Sequence, residues 1–216
     1  MQVKLVSITK PSITIDGIEP SAEGFIAYCA RVSSPNQENP DYAQLIRYCI
    51  KNKHWSIFEM VDMTVEITTS RSISPQILRH RSFCFQEFSQ RYAVVTEKEK
   101  IEWRKQGKTN RQVGDEPVSN VEQFKFDAIA DYSVATAFNA YNNLINQGVA
   151  KEVARMVLPT IAQTRLYMKG SVRSWIHYLE VRLSQHTQKE HRDIAVEIHK
   201  IFKREFPLIA ESINAH

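Results

Sequence analysis

Two periods of apolar positions alternate along this chain. Val61-Asp62-Met63-Thr64-Val65-Glu66-Ile67-Thr68 switches strictly between apolar and polar residues, as a strand with one buried face does. Val121, Phe124, Ala128, Tyr132, Ala135, Phe138, Tyr141 and Ile145 instead recur every three or four positions, which predicts one long helix with an apolar stripe. Gly148 supplies its stop. Residues 2–8 and 164–168 read as short strands. Helices are expected from a Ser21 cap to about Arg31, from about Pro40 to Lys53, and over Ile73–Arg79 with Pro75 in the first turn. Others are expected over Lys151–Val157, from a Ser171 cap to about Ser184, and after Pro207. Thr187-Gln188-Lys189-Glu190 has the capping-box pattern and opens one more. Residues 96–119 are polar, carry Gly107, Gly114 and Pro117, and read as a mobile excursion.

Long helices that alternate irregularly with few strands predict an α+β fold. The expectation is a small, mostly antiparallel central sheet flanked by long helices, in a single domain over residues 1–216 with an excursion near 96–119. The length of 216 residues allows one core without disulfide or metal staples. An apolar fraction of 43% and a charged fraction of 24% exclude disorder, collagen and coiled coil as global descriptions. A net charge of +4 is too weak to imply nucleic-acid binding, so the placement of the arginines matters more than their sum. Cys29, Cys49 and Cys84 form no C-x-x-C, which suits a reducing compartment. The N-terminus lacks a signal-peptide core and no stretch is apolar enough to span a bilayer, so a cytoplasmic protein is expected.

Familiar chemistry is mostly missing. The six glycines form no G-x-G-x-x-G, and Gly107-Lys108-Thr109 imitates the end of a phosphate loop whose first glycine is replaced by Glu102. There is no H-E-x-x-H; His186, His191 and His199 read as helix-surface residues, and no metal site is assigned. No G-x-S-x-G supports a serine triad. One segment stands out, running from Gln76 to Tyr92: Arg79, His80, Arg81, Ser82, Ser89 and Arg91 interleave with Phe83, Phe85 and Phe88. Guanidinium forks grip phosphates and aromatic rings stack on flat ones, so the segment suits a phosphorylated, planar ligand. A solvated basic turn over core phenylalanines, or a small nucleic-acid-binding module, uses the same residue types. No RNP, KH or helix-turn-helix pattern accompanies them.

The order of residues goes further. Arg79-His80-Arg81, seven residues, then Ser89-x-Arg91 resembles the signature of the flavin-dependent thymidylate synthases (the ThyX family). His54-Trp55-Ser56-Ile57-Phe58-Glu59 resembles that family's His-x-Ser/Thr-x-Phe-Glu block, and Glu152-Val153-Ala154-Arg155-Met156-Val157-Leu158-Pro159 its Glu-x-Ala-Arg-x-x-Leu-Pro block. Ser171-Val172-Arg173 with Leu179-Glu180-Val181-Arg182 resembles its C-terminal Asn-x-Arg and Leu-x-x-Arg block. Four blocks in the family's order cover most of the chain.

The resemblance implies reductive methylation of dUMP to dTMP, with methylenetetrahydrofolate as carbon donor, FAD as hydride carrier and NADPH as reductant. A flavoprotein of the same fold with another reaction is the nearest alternative. The resemblance assigns flavin contacts to Arg79, His80, Arg81, Glu87, Arg173 and, from a neighbouring subunit, Ser56. It assigns dUMP contacts to Gln76, Arg79, Glu87, Ser89, Gln90, Arg91 and Arg155, and activation of the uracil to Arg182. Ser171 and His177 stand where the family has asparagine and are assigned to the flavin. His54 falls near the flavin or folate face. Cys84 matches no functional position and is expected to be a small buried thiol. Arg173 and Arg182, nine residues apart, lie on opposite faces of one expected helix, so different chains are expected to bring them to one site. The resemblance implies a homotetramer with shared sites and no nucleic-acid or membrane partner.

Overall fold

The computed structural model describes residues 1–15, 17 and 21–214. Its centre is a four-stranded antiparallel sheet, ordered β1-β2-β6-β3 and built from β1 (Gln2–Ile8), β2 (Asp62–Ser70), β3 (Cys84–Glu87) and β6 (Gln163–Ser171). The helices are α1 (Ala22–Ala30), α2 (Ala43–Lys51), α3 (Ser74–Ile77), α4 (Asn120–Asn146), α5 (Lys151–Ala154), α6 (Val172–Arg182), α7 (Lys189–Glu205) and α8 (Pro207–Asn214). A small hairpin, β4 (Arg104–Gln106) with β5 (Gly114–Pro117), stands apart. The expected α+β architecture is therefore the observed one. Among the described residues no helix is long and apolar enough to cross a membrane.

The alternation in β2 works as its pattern predicts. Met63, Val65 and Ile67 are buried, and Met168 and Leu166 of β6 lie opposite Val65 and Ile67. They share one core with Ile26, Ile46, Phe58, Trp175, Tyr178, Ile198, Phe202 and Phe206. Lys4, Glu66, Tyr167 and Lys169 occupy the other face, with the Lys4 ammonium 3.8 Å from the Glu66 carboxylate. A second, smaller core gathers Val95, Tyr141, Ala154 and Ala162 under the C-terminal half of α4. The expected stripe of α4 thus has two fates. Tyr141 is fully buried, whereas Val121, Phe124 and Tyr132 are 66%, 78% and 78% exposed.

Local chemistry moves several boundaries. α2 begins at Ala43 rather than near Pro40, because the Arg31 guanidinium takes the carbonyls of Asn39 and Asp41 at 2.5 and 2.6 Å and holds that stretch as a turn. The capping box expected at Thr187–Glu190 does not form, although α7 does open there. The Thr187 hydroxyl donates to the Val181 carbonyl at 3.2 Å, and Arg104 draws Glu190 away. Ser119 and Glu122 form that box instead, at the start of α4. Cys84 is exposed, not buried: it opens the short edge strand β3. Residues 96–119 are anchored rather than loose. Lys98 bonds Asp131 at 2.7 Å, Trp103 donates to Asp127 at 2.9 Å, and Lys189 reaches Glu102 at 2.9 Å.

β6 passes into α6 without a loop. Ser171 ends the strand and accepts the Ser174 N–H as N-cap. Gly170, one residue earlier, lets the Phe83 ring lie against the strand: a Cβ there would stand 2.5 Å from Phe83 Cδ1. Gly170→Ala is expected to push Phe83 out of the core at a cost of about 1–3 kcal/mol, as overpacking does. Thermal unfolding followed by circular dichroism should show the loss as a fall in Tm of several degrees.

Candidate active site

The segment from Gln76 to Arg91 wraps from α3 across β3, at the edge of the sheet nearest α6. Pro75 sits in the first turn of α3, where its missing N–H costs nothing. Arg79, His80 and Arg81 follow in a turn. Arg79 and Arg81 are exposed, and among the described residues neither has a hydrogen-bond or ion-pair partner. His80 turns inward. Its ring packs edge-on to Tyr178 at 4.9 Å and to Phe83 at 6.3 Å. Its Nε2 accepts from Nε of Arg182 at 2.8 Å. A guanidinium only donates, so this bond requires a neutral imidazole. Burial first, then the charge of Arg182 and the influence of His177, pull the His80 pKa down to about 4.

His191 stands behind this pair. It is fully buried, its Nε2 lies 3.2 Å from the Tyr178 hydroxyl, and burial, Arg182 and His80 lower its pKa to about 3. This corrects the expectation of a helix-surface histidine. The signal was present: His191 shares a face of α7 with Ile194, Ala195, Ile198, Ile201 and Phe202, all buried. Tyr178, with its hydroxyl driven upward in pKa by burial, also escaped the motif reading.

Glu87 is held by residues that no motif pointed to. Its Oε1 accepts from Ser74 Oγ at 2.5 Å, from Arg71 at 2.6 Å and from Thr164 Oγ1 at 2.9 Å. Burial alone would raise its pKa, but these three bonds and the Arg71 charge together lower it, so the carboxylate stays ionised. Oε2 has no partner among the described residues. Gln90 is buried and its side-chain nitrogen is an orphan donor. Ser89 is exposed beside it. Gln76 donates to Gln188 at 2.7 Å.

A second group of residues lines a cleft of about 540 Å³ formed by Trp55, Glu59, Ser82, Arg173, His177 and neighbours. Arg173 pairs with Glu59 at 3.1 Å, so the 54–59 block and the first turn of α6 meet here. Ser174 ties the cleft to the signature segment by bonding the Ser82 carbonyl at 3.3 Å. Ser171 is buried and its hydroxyl is occupied by the cap, so its side chain does not face the cleft as an open donor. Ser56 and His54 are exposed on and just before the turn Trp55–Glu59, the His54 ring 5.6 Å from Tyr48. Arg91 and Arg155 gather elsewhere, around Glu152: Arg91 lies 3.6 Å from its carboxylate and Arg155 3.4 Å from its carbonyl. One chain therefore brings together Gln76, His80 and Arg182 through α3, α6 and α7. It leaves Ser56, Arg91 and Arg155 without a hydrogen bond or ion pair to that group among the described residues.

Residues 15–208 match the family model described as thymidylate synthase complementing protein. The chain belongs to the flavin-dependent thymidylate synthase family. It is 54% identical to the flavin-dependent thymidylate synthase of Synechocystis, over 99% of this chain and 100% of that protein. It is 45% identical to a probable flavin-dependent thymidylate synthase of Paramecium bursaria Chlorella virus 1, over 99% of both chains. Among solved structures, the UMP/dUMP methylase PolB from Streptomyces cacaoi bound with 5-Br UMP superposes with a TM-score of 0.83 at 25% identity, covering 99% of this chain and 93% of its own. Family and fold thus agree with the four sequence blocks.

The two depressed histidines have a consequence for stability. Their folded pKa values lie below the ordinary histidine value, so the unfolded chain takes up protons first as pH falls. The contribution of these two histidines to stability is expected to be complete above about pH 6.5 and to decline toward about pH 3–4. Denaturant midpoints measured across this window should fall, and His80→Asn should flatten the decline.

Proposed function

We propose that this chain methylates dUMP to dTMP, taking the carbon from methylenetetrahydrofolate, with FAD as hydride carrier and NADPH as reductant. The observation that carries this reading is the Arg182–His80 bond. It consumes Nε of the guanidinium on a neutral acceptor and leaves the two terminal nitrogens, without partners among the described residues, as a fixed fork. A fork set beside N3 and a carbonyl of uracil stabilises the negative charge that develops when the ring is attacked. Among the described residues no base is hydrogen-bonded to the Ser89 hydroxyl, and an unactivated hydroxyl is a poor nucleophile. It therefore binds the nucleotide together with Gln76, Gln90, Arg91 and the open oxygen of Glu87.

The residues also fit a dinucleotide flavin. Arg79 and Arg81 offer unpartnered cations to a diphosphate, and the cleft of Trp55, Arg173 and His177 offers planar and cationic walls. Bound FAD supplies the hydride. Arg79, Arg81 and Arg173 would hold its charge, His80 fixes Nε of Arg182, and Glu87 stays ionised for a ligand donor.

A second copy of the chain completes the site in this reading. The exposed apolar half of α4 runs over several helical turns, too large an apolar face to be left in water by a chain that has a partner of its own kind. Ser56 and Arg155, which make no hydrogen bond or ion pair with His80 or Arg182 among the described residues, become available from neighbours in a homotetramer. Phe124→Asp with Tyr132→Asp is expected to yield a smaller species by light scattering and to abolish dTMP formation. A fully active monomer would defeat the shared site.

The chemistry has its own test. Purified protein should bind FAD by fluorescence, and Arg182→Ala should lower the rate of dTMP formation about 10²–10³-fold, as loss of an electrostatic stabiliser does. Ser89→Ala should weaken dUMP binding and keep measurable turnover. A covalent Ser89–nucleotide adduct by mass spectrometry would overturn the mechanism, and a protein that binds no FAD would overturn the function.

A further inference from the structure

The excursion at 96–119 matches none of the family blocks, yet it reaches the nucleotide segment through an unbroken chain of side chains. Arg104, at the start of β4, bonds Oε1 of Glu190 in the first turn of α7. The other oxygen of Glu190 accepts from Nε2 of Gln188 at 3.0 Å. Oε1 of Gln188 accepts from Nε2 of Gln76 at 2.7 Å. Gly114 lets the hairpin close here, since a Cβ at that position would stand 2.9 Å from Cβ of Arg104.

Each link in this chain has a forced direction. A guanidinium only donates and an ionised carboxylate only accepts. Burial pushes the Glu190 pKa up, but bonds from Arg104, its own backbone and Gln188, with the Arg104 charge, outweigh it and hold the carboxylate ionised. Gln188 must therefore turn its amide nitrogen to Glu190, which leaves its oxygen for Gln76. Gln76 must in turn give its nitrogen to Gln188, which leaves its own carbonyl oxygen without a hydrogen-bond partner among the described residues. The charged anchor thus settles the orientation of two amides that are symmetric in shape.

We propose that Arg104, Glu190 and Gln188 are positioning residues that fix the amide of Gln76 so that its carbonyl oxygen is presented to the nucleotide as an acceptor, which makes the excursion part of substrate recognition. The group that this oxygen meets is then a donor, a hydroxyl or ring N–H such as dUMP carries on its ribose and at N3. This inference rests on the reading of the chain as a dUMP-binding enzyme. It differs from that reading in locating part of the affinity 28 residues from Gln76 in sequence, on a hairpin linked to Gln76 through the start of α7.

The test is a double-mutant cycle on the FAD-loaded enzyme, with dUMP as the probe. Glu190→Gln can donate as well as accept, so it releases the forced direction. Gln188→Met cuts the chain and leaves the Arg104–Glu190 pair in place. Each single variant is expected to raise KM for dUMP about tenfold, the size of one lost hydrogen bond. kcat should change by less than about twofold, and the double variant should be no worse than either single one. Arg104→Lys, which preserves the charge pair, should stay near the wild-type KM, whereas Arg104→Met should not. Additive effects, equal falls in kcat, or an unchanged KM in Gln188→Met overturn the relay. If Glu190→Gln does not fold, the KM-against-kcat split of Gln188→Met decides alone. If the wild-type chain fails to bind dUMP in calorimetry, the dUMP reading falls and takes the relay with it; if it binds and the cycle is additive, only the relay falls.

Discussion

The site hangs on the point where β6 becomes α6. β6 pairs with both β2 and β3, so it fixes the signature segment to the core of the sheet. It then turns directly into the helix that carries Arg173, His177 and Arg182. Two residues make the turn possible. Gly170 leaves room for Phe83, and Ser171 satisfies the Ser174 N–H in the first turn of the helix. Because no loop intervenes, the arginines of α6 inherit the rigidity of the sheet. A site that must hold a charged fork to within a fraction of an ångström needs such support more than it needs any single contact.

That rigidity is combined with an unusual treatment of charge. Arg182 is half-buried, and its side chain bonds His80, whose ring packs against Tyr178 and His191; no ion pair with a carboxylate is found for it among the described residues. In the role proposed for Arg182, a carboxylate at the same distance would neutralise the guanidinium and weaken its pull on a developing anion. Neutral His80 instead accepts one N–H, fixes the plane of the fork and leaves the positive charge intact. Burial beneath Tyr178 and His191 keeps His80 neutral, and the charge of Arg182 reinforces that state. The negative partners, Glu59 and Glu87, are placed on Arg173 and Arg71 instead.

Much of this was legible in the sequence because it depends on local periodicity or on fixed spacing. The alternation of β2, the N-caps Ser21 and Ser171, and the order of the four blocks all appear in the structure where they were expected. What escaped was decided by partners distant in sequence. Ser-x-x-Glu at 119–122 and Thr-x-x-Glu at 187–190 carry the same capping pattern, yet only the first forms the box. Glu122 is exposed with nothing better to accept from, whereas Glu190 meets Arg104 from a hairpin 86 residues away. The exposure of Cys84 follows in the same way from its place at a sheet edge, which no property of the residue announces. His191 was misread for a different reason: its face of α7 is apolar, and a polar residue on an apolar face has to be read from its neighbours rather than from its type.

The lost capping box and the anchored excursion are one event. A cap satisfied within its own helix would stabilise α7 locally and leave Glu190 unavailable to β4. By giving that carboxylate to Arg104, the chain exchanges a local contact for a long-range one, and the start of α7 becomes a junction between excursion, signature segment and C-terminal helix. Such exchanges occur where local structure is subordinate to the geometry of a site. They also explain why a stretch with so few apolar residues is ordered at all. The hairpin has little core of its own, and its order comes from Trp103, Arg104 and Glu102 reaching α4 and α7. In the proposed relay, an insertion in this loop of different length or charge would therefore alter the presentation of Gln76 before it altered the stability of the sheet, because among the described residues neither hairpin strand is hydrogen-bonded into the four-stranded sheet.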